Sequence, residues 1–197
     1  FDQDGWKDLM VTNGLAKEIR NKDFEIKRKE LINSVKEQAA ASGTSDVSIN
    51  PLDITALAPS IKVPNYIFKN NGDLTFSNVQ KEWNFDRPSW SQGAAYADLD
   101  NDGDMDLVIN NLNEVAEVFR NNANEKNIGN YILIDLEGNA NNPTGIGANI
   151  TIHYGDEAQT WDVNPSRGYM STSSTTAHFG LGKNKEIDKI AVVWQGG

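Results

Sequence analysis

Short apolar runs bounded by Gly, Asn and Asp make up most of the chain, a pattern typical of β-strands. The clearest runs are residues 107–109, 131–136, 148–154 and 187–194. Between residues 16 and 41 the pattern changes, because Phe24, Leu31 and Val35 follow helical spacing among Lys, Glu and Ala. The chain is therefore predicted to be mainly β, with one or two solvated helices that end at Ser42–Gly43.

An acidic segment occurs twice. The full copy, 98–106, holds five aspartates in nine residues and leads into the apolar run 107–109. At an offset of 98 residues the other copy shares four positions with it: Asp2 with Asp100, Asp4 with Asp102, Gly5 with Gly103, and Asp8 with Asp106. This is an internal repeat. The counterpart of Asp98 would precede Phe1, so we expect a first copy that is cut and a longer parent protein.

A second repeated element has an offset of 51 residues: 66–71 resembles 117–122. Each copy reads as an apolar strand followed by a turn, and Asn71–Gly72 predicts a hairpin. From Asp8 to Phe68 is 60 residues, whereas from Asp106 to Phe119 is 13. The first unit is therefore expected to carry an insertion, 15–61, which contains the helical pattern.

The full acidic copy has the donor spacing of a cation site. Asp98, Asp100 and Asp102 can turn their carboxylates to one centre, Asp104 can offer its backbone carbonyl, and Asp106 can close the shell. Without a cation these charges repel one another. An all-oxygen, multi-carboxylate shell suits Ca²⁺ better than zinc or magnesium. The loop is not an EF-hand, because position twelve is Ile109 and the exit is a strand. In the cut copy, Asp2, Asp4 and Asp8 predict an incomplete second metal site that is weak or empty.

The composition of the chain excludes or disfavours several functional classes. The net charge of -10 disfavours nucleic-acid binding through phosphates. The absence of Cys excludes disulfides and thiolate chemistry, and two His make a His-based zinc site a poor expectation. No apolar run reaches membrane-spanning length. The serines at 171, 173 and 174 lie near His178 in sequence, but we interpret them as solvent-facing hydroxyls and His178 as structural, so no catalytic residue is predicted.

Aromatic residues precede the small apolar strand 93–97 that enters the acidic loop. We interpret Trp83, Phe85 and Trp90 as packing between sheets. A sugar-stacking platform at Trp83 and Trp90 is the alternative. The Asn-rich stretch 121–130 predicts a domain boundary, with a repeat segment at 1–125 and an all-β domain at 126–197.

The doubled D-x-D-x-D-G-x-x-D motif inside strand-rich units resembles the FG-GAP/VCBS repeats of β-propellers. The C-terminal part resembles the ASPIC/UnbV domain through four segments: 142–152, 167–171, 178–182 and 193–194. Repeats followed by this domain resemble the cartilage acidic protein-like family and its bacterial relatives. The resemblance covers nearly the whole chain except the helical insertion.

The resemblance implies partial β-propeller blades with a helical insertion, plus a small C-terminal all-β, sandwich-like domain. It implies Ca²⁺ held by the side chains of Asp98, Asp100, Asp102 and Asp106 and by the carbonyl of Asp104. It also implies a non-catalytic binding or adhesion module that is extracellular, periplasmic or at the cell surface. Its partners would be an unknown extracellular protein or glycan and the missing N-terminal blades. The alternatives are a glycan-active enzyme or carbohydrate-binding accessory domain, and a purely structural propeller segment.

Overall fold

The computed structural model describes residues 1–14, 16–44 and 47–195. Leu15, where the predicted insertion begins, and Gly197, where the predicted second domain ends, lie outside these residues. The helices are α1 (Lys22–Ala41) and α2 (Pro51–Leu57). The strands are β1 (Leu9–Val11), β2 (Val63–Pro64), β3 (Tyr66–Asn70), β4 (Phe76–Asn78), β5 (Pro88–Ser89), β6 (Ser91–Ala97), β7 (Asp106–Asn111), β8 (Glu117–Phe119), β9 (Asn130–Ile134), β10 (Asn149–Tyr154), β11 (Glu157–Asp162), β12 (Ser166–Gly168), β13 (Ser171–Thr172), β14 (Ala177–Gly182) and β15 (Lys189–Val193).

The two copies of the repeat form two three-stranded antiparallel sheets, in the orders β1–β3–β4 and β6–β7–β8. Leu9 lies opposite Phe68 in the first sheet, and Leu107 lies opposite Phe119 in the second. Leu107 is the counterpart of Leu9 at the offset of 98 residues, and Phe119 is the counterpart of Phe68 at the offset of 51. The two copies therefore pair their strands in the same register. The predicted mainly β fold with partial blades is confirmed, and the described strands form no closed barrel.

A shared apolar core lies between these two sheets. Ile67 of β3 and Leu107 and Ile109 of β7 are buried there with Phe85, whose ring stacks on Phe119 with centroids 4.4 Å apart. Further hydrophobic residues pack against this cluster: Phe1, Met10, Val79, Trp83, Ala94, Tyr96 and Phe119. The burial of these aromatic and aliphatic faces holds the two blades side by side.

The predicted helical insertion is present and contributes little to either core. The Asn21 side chain caps α1 by accepting the backbone N–H groups of Asp23 (2.8 Å) and Phe24 (3.3 Å). Of the α1 side chains only Phe24 and Ala39 are buried, so most of this helix faces solvent, and it ends before Ser42 as predicted. In the part of the chain that is described, no helix is long and apolar enough to cross a membrane.

The C-terminal domain has its own core. Side chains of the sheet β11–β10–β15 and of the pair β9–β14 share one buried apolar cluster. The short hairpin β12–β13 contacts β6 of the repeat segment. Alternate residues of β10 point inward, and Ile150 and Ile152 are completely buried. Phe179 of β14 packs against them and meets the Trp161 ring edge-on, with centroids 6.0 Å apart.

Candidate metal centre

Three carboxylates meet in the loop between β6 and β7. Asp98, Asp100 and Asp102 each place one carboxylate oxygen within 4.8 Å of the other two. The two strands of one hairpin hold both ends of this loop, so the side chains are gathered by local chain geometry. Oxygen atoms of ionised carboxylates are the ligands that calcium prefers.

The loop is folded by its own side chains. The Asp98 carboxylate accepts the backbone N–H groups of Asp102 (3.1 Å) and Gly103 (2.9 Å), and Asp102 accepts that of Asp104 (3.1 Å). Asn101 and Gly103 have left-handed backbone conformations, with φ of 59° and 92°. Asn and Gly tolerate this region better than other residues.

Asp106, the first residue of β7, links the start of the loop to the segment after β8. Its carboxylate accepts the backbone N–H of Leu99 (3.1 Å) and that of Asn121 (2.8 Å), which comes directly after β8 and Arg120. The side chain is buried and lies outside the three-carboxylate group. The geometry of Asp106 therefore shows a structural bridge, and its predicted role as a metal ligand stays a prediction.

Asp104 is the most deeply buried residue of the loop, with no exposed surface. One carboxylate oxygen accepts the backbone N–H of Asn124 at 3.1 Å, and the other, Oδ1, has no hydrogen-bond partner among the described residues. Burial raises the pKa of this carboxyl, and the nearby charges of Asp102 and Asp106 raise it further. The sequence predicted only a backbone role for Asp104, whereas the structure adds a buried carboxylate.

One basic residue neutralises part of this charge. The Arg120 guanidinium lies 2.8 Å from Asp100, 3.4 Å from Asp102 and 2.8 Å from Glu125. The Asp104 N–H and Arg120 hold the pKa of the Asp102 carboxyl below its usual value. Sequence reasoning missed Arg120, although the repeat carried the signal: at the offset of 51 residues its counterpart is Lys69.

The N-terminal copy repeats the part of this arrangement that its residues provide. The backbone nitrogens of Phe1 and Asn70 both donate to Asp8, at 2.8 and 3.0 Å, as those of Leu99 and Asn121 donate to Asp106. Lys69 pairs with Asp2 and with Asp4, as Arg120 pairs with Asp100 and Asp102. Gln3 and Gly5 have φ of 58° and 98°, close to their counterparts. The cut copy therefore keeps the loop shape, and its predicted weakness as a metal site remains to be measured.

Both loops rest on the β9–β14 pair of the C-terminal domain. Tyr131 Oη donates to the carbonyl of Asp102 (3.4 Å), and His178 Nε2 donates to the carbonyl of Gly103 (3.1 Å). The two rings stack with centroids 5.5 Å apart. Burial lowers the pKa of His178, which favours the neutral imidazole. In the other loop the carbonyl of Gln3 accepts the Gly182 N–H at 2.8 Å.

The remaining candidate residues have structural contacts. Ser171 Oγ accepts the Ala94 N–H (3.0 Å) and Ser173 Oγ accepts the Tyr96 N–H (3.2 Å), so these hydroxyls cap the outer edge of β6. Our expectation that they face solvent was wrong, because β6 needs partners for its free N–H groups. Ser174 instead donates to Thr176. Asp162, the acidic residue nearest these serines in sequence, accepts a hydrogen bond from Asn149.

Trp83 and Trp90, the residues of the alternative sugar platform, each have packing contacts. Trp83 packs against the core between the two blades, where its ring meets the edge of Phe1 at 6.4 Å. The Trp90 indole donates to the carbonyl of Ile61 (3.1 Å) and lies under Lys62, whose Nζ is 4.8 Å from the ring centroid. These contacts favour the packing interpretation of both tryptophans.

Fold and site together define a mainly β protein in which aspartate-loop repeats lie against a small β domain. Residues 43–109 match the family model described as an FG-GAP-like repeat, and residues 138–197 match the model described as ASPIC and UnbV. The two matches follow each other in the order that the sequence predicts, the repeat first and the ASPIC and UnbV model second. Both are typical of extracellular or surface proteins. No curated protein matches the chain.

The close fit of Gly103 against the C-terminal domain can be tested by Gly103→Ala. A Cβ here would lie 1.6 Å from Tyr131 Oη, in addition to the strain of φ at 92°. Gly43→Ala is the matched control, because φ is 69° and no atom lies within 4 Å of its Cβ. We expect the control to cost about 1 kcal/mol of unfolding free energy and Gly103→Ala to cost at least about 2 kcal/mol more. Equal costs in urea denaturation would contradict the fit.

Proposed function

We propose that this chain is a non-catalytic, calcium-stabilised module of an extracellular or surface binding protein. In this proposal Ca²⁺ is held by Asp98, Asp100 and Asp102, with Asp104 and Asp106 completing the shell. The ion supplies positive charge at the β6–β7 loop, through which the repeat segment contacts the C-terminal domain. The observation that carries the proposal is the convergence of three carboxylates beside a buried carboxylate oxygen that lacks a partner.

The charge balance of the loop supports a bound cation. Five aspartates lie in nine residues, and the nearby basic group, Arg120, is a single charge that it also shares with Glu125. A buried carboxylate with one oxygen unpaired is costly unless a cation or proton compensates it. The raised pKa of Asp104 expresses that cost, and a divalent ion would offset it.

The position of the loop supports a stabilising role for the ion. The carbonyls of Asp102 and Gly103, which accept from Tyr131 and His178, belong to the peptide segment that the carboxylates fold. Fixing this segment fixes the surface on which β9 and β14 lie. The ion would therefore lie at the junction between the two domains. A binding partner would then contact other faces of the two domains.

Replacing Asp100 tests the cation site with little damage to the loop. Its carboxylate pairs with Arg120, and within the described residues no backbone N–H donates to it. Asp100→Asn therefore removes a ligand charge and weakens one exposed ion pair, but it leaves the backbone hydrogen bonds of the loop in place. We expect saturating Ca²⁺ at about 100 times its Kd to stabilise the parent by about 2.7 kcal/mol, and Asp100→Asn to weaken Ca²⁺ binding at least tenfold.

The matched control is Asp156→Asn, an exposed aspartate in the β10–β11 turn, which should leave the Ca²⁺ response unchanged. Calorimetric titration and melting curves with Ca²⁺ and with Mg²⁺ measure both effects. A parent protein that responds no more to Ca²⁺ than to Mg²⁺, or an unchanged response in Asp100→Asn, would contradict the proposal.

Asp104→Asn should have opposite effects with and without the ion. The folded state disfavours the ionised Asp104 carboxyl, as its raised pKa shows, so a neutral amide removes repulsion when no cation is bound. We expect the variant to melt about 2–4 °C above the parent in EDTA and to gain less than the parent from Ca²⁺. A variant that melts lower in EDTA, with its Ca²⁺ gain intact, would show that the buried charge is not part of the site.

A further inference from the structure

Asparagine is followed directly by glycine at two places in the chain, Asn13–Gly14 and Asn71–Gly72. In such a pair the backbone nitrogen of the glycine can attack the side-chain amide carbon of the asparagine, because glycine has no Cβ to obstruct the approach. Asparagine is among the thermolabile residues for this reason. The structure gives the two pairs different surroundings.

The pair Asn13–Gly14 is held by partners that water does not reach. The Gly14 N–H donates to the Ser91 carbonyl at 2.6 Å. Asn13 Nδ2 donates to the carbonyls of Ser89 (2.9 Å) and Val63. Because Ser89 and Ser91 are 1% and 0% exposed, water does not replace these bonds while the protein is folded. Attack by the Gly14 nitrogen therefore needs local unfolding first.

The pair Asn71–Gly72 lies in the exposed turn between β3 and β4. Asn71 Nδ2 donates to Thr75 Oγ1 (2.9 Å), and Asn71 Oδ1 accepts from Ser77 Oγ (3.0 Å). The Gly72 N–H donates to the side chain of Asn70 at 3.0 Å. Thr75 and Ser77 are exposed, so water can replace both bonds to the Asn71 amide at little cost. This pair can therefore react without the opening of a buried contact.

We propose that Asn71–Gly72 is a self-modification site at which Asn71 loses its amide. Hydroxide removes the proton of the Gly72 N–H, and the nitrogen forms a bond to Cγ of Asn71. The Cγ–Nδ2 bond breaks, Nδ2 takes up a proton from water and leaves as ammonia, and a cyclic imide remains. Water then opens the imide at either carbonyl, which gives aspartate or isoaspartate. In sum, water is consumed and ammonia is released, with no oxidant, reductant or other reactant.

The other copy of the repeat lacks this pair. At the offset of 51 residues Asn71 corresponds to Asn122, and Gly72 corresponds to Ala123. The methyl group of Ala123 obstructs the approach of its nitrogen to the Asn122 amide, and Ala123 is 1% exposed. The proposed modification therefore belongs to the turn after β3, and Asn122 is a matched control within the same molecule.

The modification acts on the N-terminal aspartate loop through Asn70. The Asn70 N–H donates to Asp8 (3.0 Å), its Nδ2 donates to the Lys7 carbonyl (3.2 Å), and its Oδ1 accepts the Gly72 N–H. Gly72 also lies against Trp6, because a Cβ there would be 2.9 Å from the indole. Isoaspartate adds a carbon atom to the main chain before Gly72, which displaces Gly72 from both partners. Aspartate leaves the main chain unchanged and adds only a negative charge.

Incubation of the folded protein at mildly alkaline pH tests the proposal, with tandem mass spectrometry of the peptides that contain Asn13, Asn71 and Asn122. We expect Asn71 to deamidate at least about tenfold faster than Asn13, because the contacts of Gly14 rarely open. Asn122 should stay intact over the same period. In the urea-unfolded protein the two Asn–Gly pairs should react at similar rates, since only the fold separates them.

Two variants separate the chemistry from its effect on the loop. Asn71→Gln keeps an amide but needs a larger ring for attack, so residue 71 should stay unmodified while Asn13 reacts as in the parent. Asn71→Asp carries the charge with an unchanged main chain. Amide hydrogen exchange at Asn70 should be at least about threefold faster in the purified isoaspartate form than in Asn71→Asp.

Three results would overturn the proposal. The first is equal deamidation of Asn71 and Asn13 in the folded protein. The second is a folded protein in which Asn71 keeps its amide although the unfolded chain loses it. The third is equal exchange at Asn70 in the isoaspartate form and in Asn71→Asp, which would remove the link to the aspartate loop. None of these measurements depends on Ca²⁺, so they decide the proposal whatever the outcome at the cation site.

Discussion

The close approach of two aspartate loops to one pair of strands fixes the arrangement of the whole molecule. A Cβ at Gly180 would lie 2.6 Å from the backbone of Gln3, and one at Gly129 would lie 2.8 Å from it. A Cβ at Gly103 would lie still closer to Tyr131, 1.6 Å from its Oη. Because backbone meets backbone or a rigid ring at each of these points, the repeat segment and the C-terminal domain have little freedom to slide past each other.

This contact places the highest density of negative charge at the junction. Each loop balances part of its charge with a basic residue after the repeated phenylalanine, Lys69 in one copy and Arg120 in the other. In each copy one carboxylate also accepts a backbone N–H from the end of a neighbouring strand. Asp8 accepts that of Asn70 at the end of β3, and Asp106 accepts that of Asn121 just after β8. These two kinds of contact therefore occur in both loops. The sequence repeat is thus also a repeat of contacts beside the domain interface.

Much of this could be predicted because the repeat is local and its offsets are constant. The match of Asp8 with Asp106 and of Phe68 with Phe119 anticipated strands in equal register. The surface that covers the loops could not be predicted, since Tyr131 and His178 come from a different domain and carry no periodic signal. Likewise the polar stretch around Asn124 reads as a linker, yet its backbone N–H and that of Asn121 bind loop carboxylates. Local patterns do not show which distant segment will satisfy a buried group.

We propose that a cation in the Asp98–Asp106 loop stabilises the junction between the two domains. Amide hydrogen exchange of β9 and β14 with and without Ca²⁺ tests it most directly, because these strands contact the loop and contain none of its carboxylates. The account predicts that Ca²⁺ slows exchange in both strands as well as in the loop. Slower exchange in the loop alone, with β9 and β14 unchanged, would contradict it.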